Sequence, residues 1–265
     1  IADEGVATRL LADGVDAIVH LAAVVSGQAE ADFSLGMRVN LDATRRLLDA
    51  ARETGRCPRF VFASSIAVFS RPLPDVILEE TAAAPKSSYG MQKAVAELLV
   101  NEYSRRGFVD GRVPRLPTIS VRPGPANRAT SSFASGIIRE PLNGETAVCP
   151  VDRDLVLWLS SPAIAIENLV HCLALPGEAF GDRRIVNLPG ISVSVADMIR
   201  ALEHVAGRAT IERISFQPDP VARRIVSGWP GRFDVSRAEG LGFKRDRDFE
   251  SIIRAYVAER GIAPQ

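Results

Sequence analysis

A chain of 265 residues, 46% hydrophobic and 24% charged, is long enough for one α/β domain and a smaller lobe, and too apolar to be a disordered tail. Its 32 Lys and Arg match its 32 Asp and Glu, so no basic excess points to nucleic acid or to an anionic membrane surface. A small-molecule substrate fits that balance better.

From the N-terminus, residues 4–12 pattern as a helix, 16–22 as a strand, 31–53 as one long helix and 59–65 as a second strand. That second strand is short and apolar, as strands buried on both faces of a parallel sheet are. A helix is expected over 88–105, with Val95, Leu98, Leu99 and Tyr103 at helical spacing, and a strand over 116–121. Such alternation marks βαβ units and a parallel sheet with helices on both faces. Beyond Arg122-Pro123-Gly124-Pro125 the pattern is less regular, with helices at 132–142, 162–175, 195–205 and 249–259 and strands at 155–159 and 184–188. Pro162 is well placed to open its helix.

The chemistry gathers in the middle of this pattern. Ser64 and Ser65 stand at the carboxyl end of the second strand, where ligands bind in open α/β sheets, so both hydroxyls are expected to face a substrate. Tyr89 and Lys93 are four residues apart, one turn on one helix face. A phenol titrates near pKa ~10 and makes a poor base at neutral pH unless a cation stabilises its phenolate. Lys93 is expected to be that cation. Cys57, Cys149 and Cys172 show no Cys-x-x-Cys pairing, and His20, His171 and His204 have no metal spacing, so neither a disulfide framework nor a metal site is expected. No long apolar run or leader pattern is evident, and a reducing cytoplasm is the expected location.

The ordered set His20-Leu21-Ala22-Ala23, Val39-Asn40-Leu41-Asp42-Ala43-Thr44, Ser64-Ser65, Glu80-Thr81 with Pro85, Tyr89-x-x-x-Lys93 and Arg122-Pro123-Gly124 resembles the extended short-chain dehydrogenase/reductases, the NAD-dependent epimerase/dehydratase family. The resemblance implies a Rossmann-type doubly wound parallel sheet with a small C-terminal substrate lobe, divided here as a dinucleotide-binding region over 1–130 and a mixed region over 131–265. It implies Ser65, Tyr89 and Lys93 as the catalytic trio of an oxidoreductase acting on an alcohol. It also implies a nicotinamide cofactor, NAD with NADP possible, held by Leu21, Ala22, Ala23, Asn40, Ser64, Tyr89, Lys93 and Pro123. Asn40 would hold the water chain of the lysine, or else be a helix amide bonded to backbone. A homodimer through the 31–53 helix and the helix after Tyr89 is part of the same expectation.

One departure is plain. The glycine-rich turn that lets a backbone approach a pyrophosphate is absent from this sequence, as is the acidic residue of the second strand. The expectation is that the first βα units of the dinucleotide-binding region are missing from the chain, so that NAD is preferred on resemblance alone.

For the substrate, Ile66-Ala67 occupy the place where the family's dehydratases carry an acidic pair, which argues against dehydration. The loop 123–132 is small and hydroxylated. Its Arg128 could clamp a carboxylate with its fork or bond a helix end. Ser64-Ser65-Ile66-Ala67-Val68-Phe69 and Arg122-Pro123-Gly124-Pro125-Ala126-Asn127 resemble a branch that oxidises the 2-hydroxyl of a four-carbon sugar acid, with Ser65, Tyr89 and Arg128 touching that acid. The alternatives are a nucleotide-sugar 4-epimerase and a catalytically silent cofactor-sensing or binding protein.

Overall fold

Strands β1 (Ala17–His20) and β2 (Arg59–Phe62) pair in parallel, Ala17 opposite Arg59 and His20 opposite Phe62. They open the main parallel sheet. The computed structural model describes residues 1–125 and 129–262. Backbone pairing breaks at Ala63 and resumes as β3 (Ser64–Ser65), so the expected single strand over 59–65 is two short ones. Both pair with β4 (Asp110–Leu116), Arg59 facing Asp110 and Ser65 facing Leu116. β5 (Thr118–Ile119), β6 (Ala147–Cys149) and β7 (Val156–Ser160) follow, and β8 (Ile185–Asn187) returns to pair in parallel with β4. The five-stranded sheet formed by β1, β2, β3, β4 and β8 is wholly parallel.

The expected strand at 116–121 is therefore displaced. The sheet strand is β4, and only Thr118–Ile119 of the later stretch is extended, pairing with β7 of a separate sheet that β9 (Ile191–Ser194) completes. β4 was hidden because it carries Gly111, Pro114 and two arginines. The arginines are buried only because each has carboxylate partners: Arg112 donates to Asp110 and to the carbonyl of Leu175, and Arg115 to Glu97.

Helices cover both faces of the sheet. α1 (Val6–Leu11), α2 (Ser26–Ala31), α3 (Phe33–Gly36), α4 (Ala43–Glu53) and α5 (Ser88–Arg105) precede β4. Residues of α1, α4 and α5 share a core with Phe60 and Phe62. α6 (Phe133–Leu142) and α7 (Pro162–Ala174) come next. α7 puts Cys172 into a second core with Val61 and Val186 on the opposite face. The chain closes with α8 (Val195–Ala206), α9 (Arg208–Ile211), α10 (Pro220–Val226), α11 (Ser236–Gly240) and α12 (Phe249–Arg260), and with β10 (Ile214–Phe216), which pairs with β6. A third core gathers Ile137, Ile138, Met198, Leu202 and Ile253 from α6, α8 and α12.

Two helical expectations change. The single helix over 31–53 is interrupted: Asp32 is extended and caps α3 through Leu35 N–H, and Met37–Asp42 forms a π-helical stretch before α4 begins. Such π segments often mark functional positions, because the extra residue re-aims a side chain. In α5 the buried face is Gly90, Gln92, Lys93, Ala96, Glu97, Val100 and Ser104, whereas Leu98 is 68% exposed. Of the apolar row, Leu99 and Tyr103 pack against the edge of the core while Leu98 points outward, and the inward row mixes Ala96 and Val100 with the polar Gln92, Lys93 and Glu97.

Candidate active site

The strand end shapes the site first. Successive strand residues point to opposite faces, and here that separates the two serines. Ser64 is 1% exposed and donates from Oγ to Glu97 Oε1 at 2.5 Å, so its hydroxyl is committed to the interior rather than to a ligand, contrary to expectation. Ser65 turns the other way. Its Oγ caps the 3-10 turn Ile66–Val68 by accepting Ala67 N–H at 3.1 Å, and it lines the same cleft as the Tyr89 phenol.

Helix α5 brings the second half of the site. Ser87 caps it by accepting Gly90 N–H at 3.1 Å, which fixes the first turn and with it Tyr89. One turn on, Lys93 is 3% exposed, and its Nζ donates to the carbonyl of Ala63 at 2.8 Å. The ammonium lies 4.5 Å from the centre of the Phe62 ring and 5.7 Å from that of Tyr89. Burial lowers the Lys93 pKa to about 8, with the Glu97 carboxylate acting in the opposite direction. Burial likewise raises Tyr89 to about 12, opposed by the Ser65 hydrogen bond. Desolvation of the phenolate, and not the expected lowering by Lys93, therefore sets the direction of the Tyr89 shift.

Leu21, Ala23, Ser64, Ser65, Tyr89, Lys93 and Pro123 all line one cleft of about 550 Å³. The structure thereby brings together most of the residues singled out in the sequence. Ala22 is exposed and off the cleft wall. Asn40 is 1% exposed behind the wall, on the π-helical stretch. Its Oδ1 accepts Val24 N–H at 2.7 Å, and its Nδ2 donates to Val24 O at 3.0 Å and to Gln92 Oε1 at 2.8 Å. The amide therefore clamps the loop that follows β1, with both of its N–H donors engaged. Arg128 lies outside the described residues. Sequence reasoning passed over Thr118, Arg122, Leu169 and Trp229, which share the cleft wall. Arg122 was visible as a motif residue, but nothing in the local pattern of Trp229 signals that a turn 140 residues from Tyr89 folds against it.

His20 sits at the end of β1, 3% exposed, its Nε2 2.9 Å from Thr44 Oγ1 and its ring 5.8 Å from that of Phe62. Burial, with the Lys93 charge in support, lowers its pKa from 6.5 to about 4. Between those values the unfolded chain takes up a proton that the folded chain refuses. Stability therefore falls as pH drops through that window, by up to roughly 3 kcal/mol from this group. Urea unfolding from pH 7 to pH 4 is expected to show that loss, and His20→Gln is expected to flatten it; identical slopes in the two proteins would assign the loss elsewhere.

A larger open groove of about 1230 Å³, bordered by Arg200, Asp246, Arg247 and Glu250, contains none of the residues singled out above. Among the described residues no cluster of His, Cys, Asp and Glu could hold a metal ion, and no helix is long and apolar enough to cross a membrane. A nicotinamide riboside fits the smaller cleft on two counts. Leu21, Ala23 and Ala63 form a low apolar wall. The buried Lys93 ammonium has three donors, and among the described residues its one hydrogen-bond acceptor is Ala63 O.

The family model described as NAD dependent epimerase/dehydratase family matches residues 1–159, which include the whole strand-serine and Tyr-x-x-x-Lys arrangement. The chain belongs to that family. Within the NAD-dependent epimerase/dehydratase family it is 54% identical over 263 residues to a D-erythronate dehydrogenase of Cupriavidus necator, covering 99% of this chain and 81% of the relative. It is 49% identical to a D-erythronate dehydrogenase of Haemophilus influenzae, covering 94% and 79%. The crystal structure of a nucleoside-diphosphate-sugar epimerase from Agrobacterium tumefaciens superposes with a TM-score of 0.94 at 45% identity, covering 100% of this chain and 79% of that one. A GalE-like L-threonine dehydrogenase from Cupriavidus necator in its holo form gives 0.88 at 25% identity, covering 98% and 83%. The expectation of a nicotinamide-dependent oxidoreductase on a Rossmann-like parallel sheet is met by this membership and by these relatives.

Proposed function

We propose that this protein oxidises the 2-hydroxyl of a small sugar acid, D-erythronate to 2-oxo-tetronate, with NAD. The observation that carries the reading is the meeting of Ser65, Tyr89 and Lys93 in one cleft of a chain 54% identical to a D-erythronate dehydrogenase over nearly its whole length. When bound, a nicotinamide cofactor supplies the acceptor for the hydride leaving the alcohol carbon. The protein's own part is positional and acid–base. Ser65 Oγ holds the substrate oxygen against Tyr89, whose phenolate takes the hydroxyl proton. Lys93 uses its open donors to hold the ribose hydroxyls, and its positive charge favours the phenolate. Burial pushes the phenol up to about 12, and a neighbouring cation is the kind of group that works against such a shift.

The Agrobacterium relative's description as a nucleoside-diphosphate-sugar epimerase keeps the epimerase as a second reading. A cleft of about 550 Å³ suits a four-carbon acid beside a nicotinamide ring better than a nucleotide-linked sugar. Buried Ile66 and Ala67 offer no acid for dehydration. The direct test is NADH formation at 340 nm with a panel of C4 sugar acids. Saturable turnover of D-erythronate with release of free NADH is expected, whereas NAD retained through purification together with inertness across the panel would select the epimerase.

A homodimer through α4 and α5 completes the proposal, with Leu98 on its outer face. Sedimentation of a single species at twice the mass of 28.6 kDa is expected, and a monomer at micromolar concentration would remove it.

A further inference from the structure

Beneath the cleft lies a buried ion pair that the proposed reaction does not use. Glu97 is one helical turn beyond Lys93 and two beyond Tyr89, on the same face of α5. It is 1% exposed, and Arg115 of β4 is 3% exposed. Arg115 grips the carboxylate with two bonds, Nε to Oε1 at 2.9 Å and NH2 to Oε2 at 2.7 Å, and reaches Asn187 Oδ1 of β8 at 3.3 Å. Its guanidinium carbon stands 4.7 Å from the centre of the Phe69 ring. Ser64 adds the third bond to the carboxylate, and Ser64 and Arg115 face each other across the β3–β4 register. A single carboxylate therefore ties α5, β3 and β4 together directly below Ser65, and β8 through Arg115. Desolvating such a pair is costly, and apolar residues of similar volume often serve stability as well. A role in the site would offset that cost.

We infer that Glu97, held by Arg115, is a positioning residue: it fixes the Ser64–Ser65 strand end against α5 and sets a carboxylate one helical turn from the Lys93 ammonium at the cleft floor. The inference rests on the proposed Ser65, Tyr89 and Lys93 roles for its kinetic consequence, but not for its physical one. The groups facing Lys93 are consistent with it. Glu97 raises the lysine's pKa against the effect of burial. Neutral His20 adds no charge near pH 7, Tyr89 is a neutral phenol there, and the Arg115 guanidinium on the β4 side is engaged by the Glu97 carboxylate itself.

The chain has only three lysines, Lys86, Lys93 and Lys244, so 13Cε-lysine labelling gives a spectrum in which Lys93 is assigned by its loss in Lys93→Met. The expected result for Glu97→Gln is a Lys93 midpoint lower by roughly one unit or more, with Glu97→Asp restoring most of the shift. The alkaline limb of kcat for the sugar acid is expected to move down by the same amount while KM changes less than twofold. The double variant Glu97→Gln/Arg115→Gln, which leaves no orphaned buried charge, separates positioning from stability: its thermal midpoint is expected to recover toward that of the parent while the Lys93 shift persists. An unchanged Lys93 midpoint in Glu97→Gln overturns the inference, as does a double variant that regains both stability and the parental midpoint. Because the titration is read without turnover, failure of the substrate assignment leaves this test intact.

Discussion

Tyr89→Phe is expected to lower kcat for the sugar acid by about 100-fold or more, the usual size of a general acid–base contribution and equal to about 3 kcal/mol of barrier. The ring keeps its place, because what positions it is the first turn of α5, capped by Ser87. The loss is therefore expected in the chemical step, with the Kd for NAD, measured by calorimetry, within about twofold of the parent. Ser65 keeps Ala67 N–H as a hydrogen-bond partner, so the strand end stays in place. Turnover within a few-fold of the parent would show that the proton leaves by another route and would remove Tyr89 from the reaction. Weaker NAD binding with unchanged kcat would make the phenol a binding group only.

Gly90→Ala is expected to cripple the site although position 90 contacts no ligand. Helix propensity alone would favour alanine by about 1 kcal/mol. Sterics decide the other way. A Cβ at Gly90 would overlap the backbone carbonyl of Ala67 and come within 3.0 Å of Pro85 Cβ. A flexible side chain could yield, but this carbonyl belongs to the 3-10 turn capped by Ser65 and bonded through Val68 O to Ala84 N–H. The first turn of α5 must then lift from the strand end, carrying Tyr89 away from Ser65. The expected outcome is a destabilisation of about 1–3 kcal/mol, a fall in thermal midpoint of roughly 2–12 °C for a chain of this size, and a loss of at least tenfold in kcat. Gly240→Ala is the matched control, since a Cβ at that helical position meets nothing within 4 Å. A Gly90→Ala protein with the midpoint and turnover of the parent would mean that the helix and the strand end approach each other less closely than described.

These two residues show where the sequence is informative. Tyr89 and Lys93 were legible because a helix converts a spacing of four into proximity whatever surrounds it. Ser65 was legible because strand ends of a parallel sheet collect ligands. Gly90 gave no such signal, since its role depends on a carbonyl 23 residues earlier in the chain. Arg115 and Glu97 argue locally against a buried strand and a buried helix face, and only their pairing reverses that. β4 was misplaced for the same reason.

By itself the sequence determined the alternation of strands and helices, the family, and the spacing that sets a phenol, an ammonium and a hydroxyl near one another. These follow from short-range periodicity and backbone geometry. Only the tertiary structure decided which serine hydroxyl is held by Glu97, that the Asn40 amide bonds Val24 and Gln92, that burial and not the lysine dominates the Tyr89 phenol, and that Trp229 shares the cleft wall. Each of these turns on desolvation or on a hydrogen bond between residues distant in the chain, quantities that do not exist until the chain has folded.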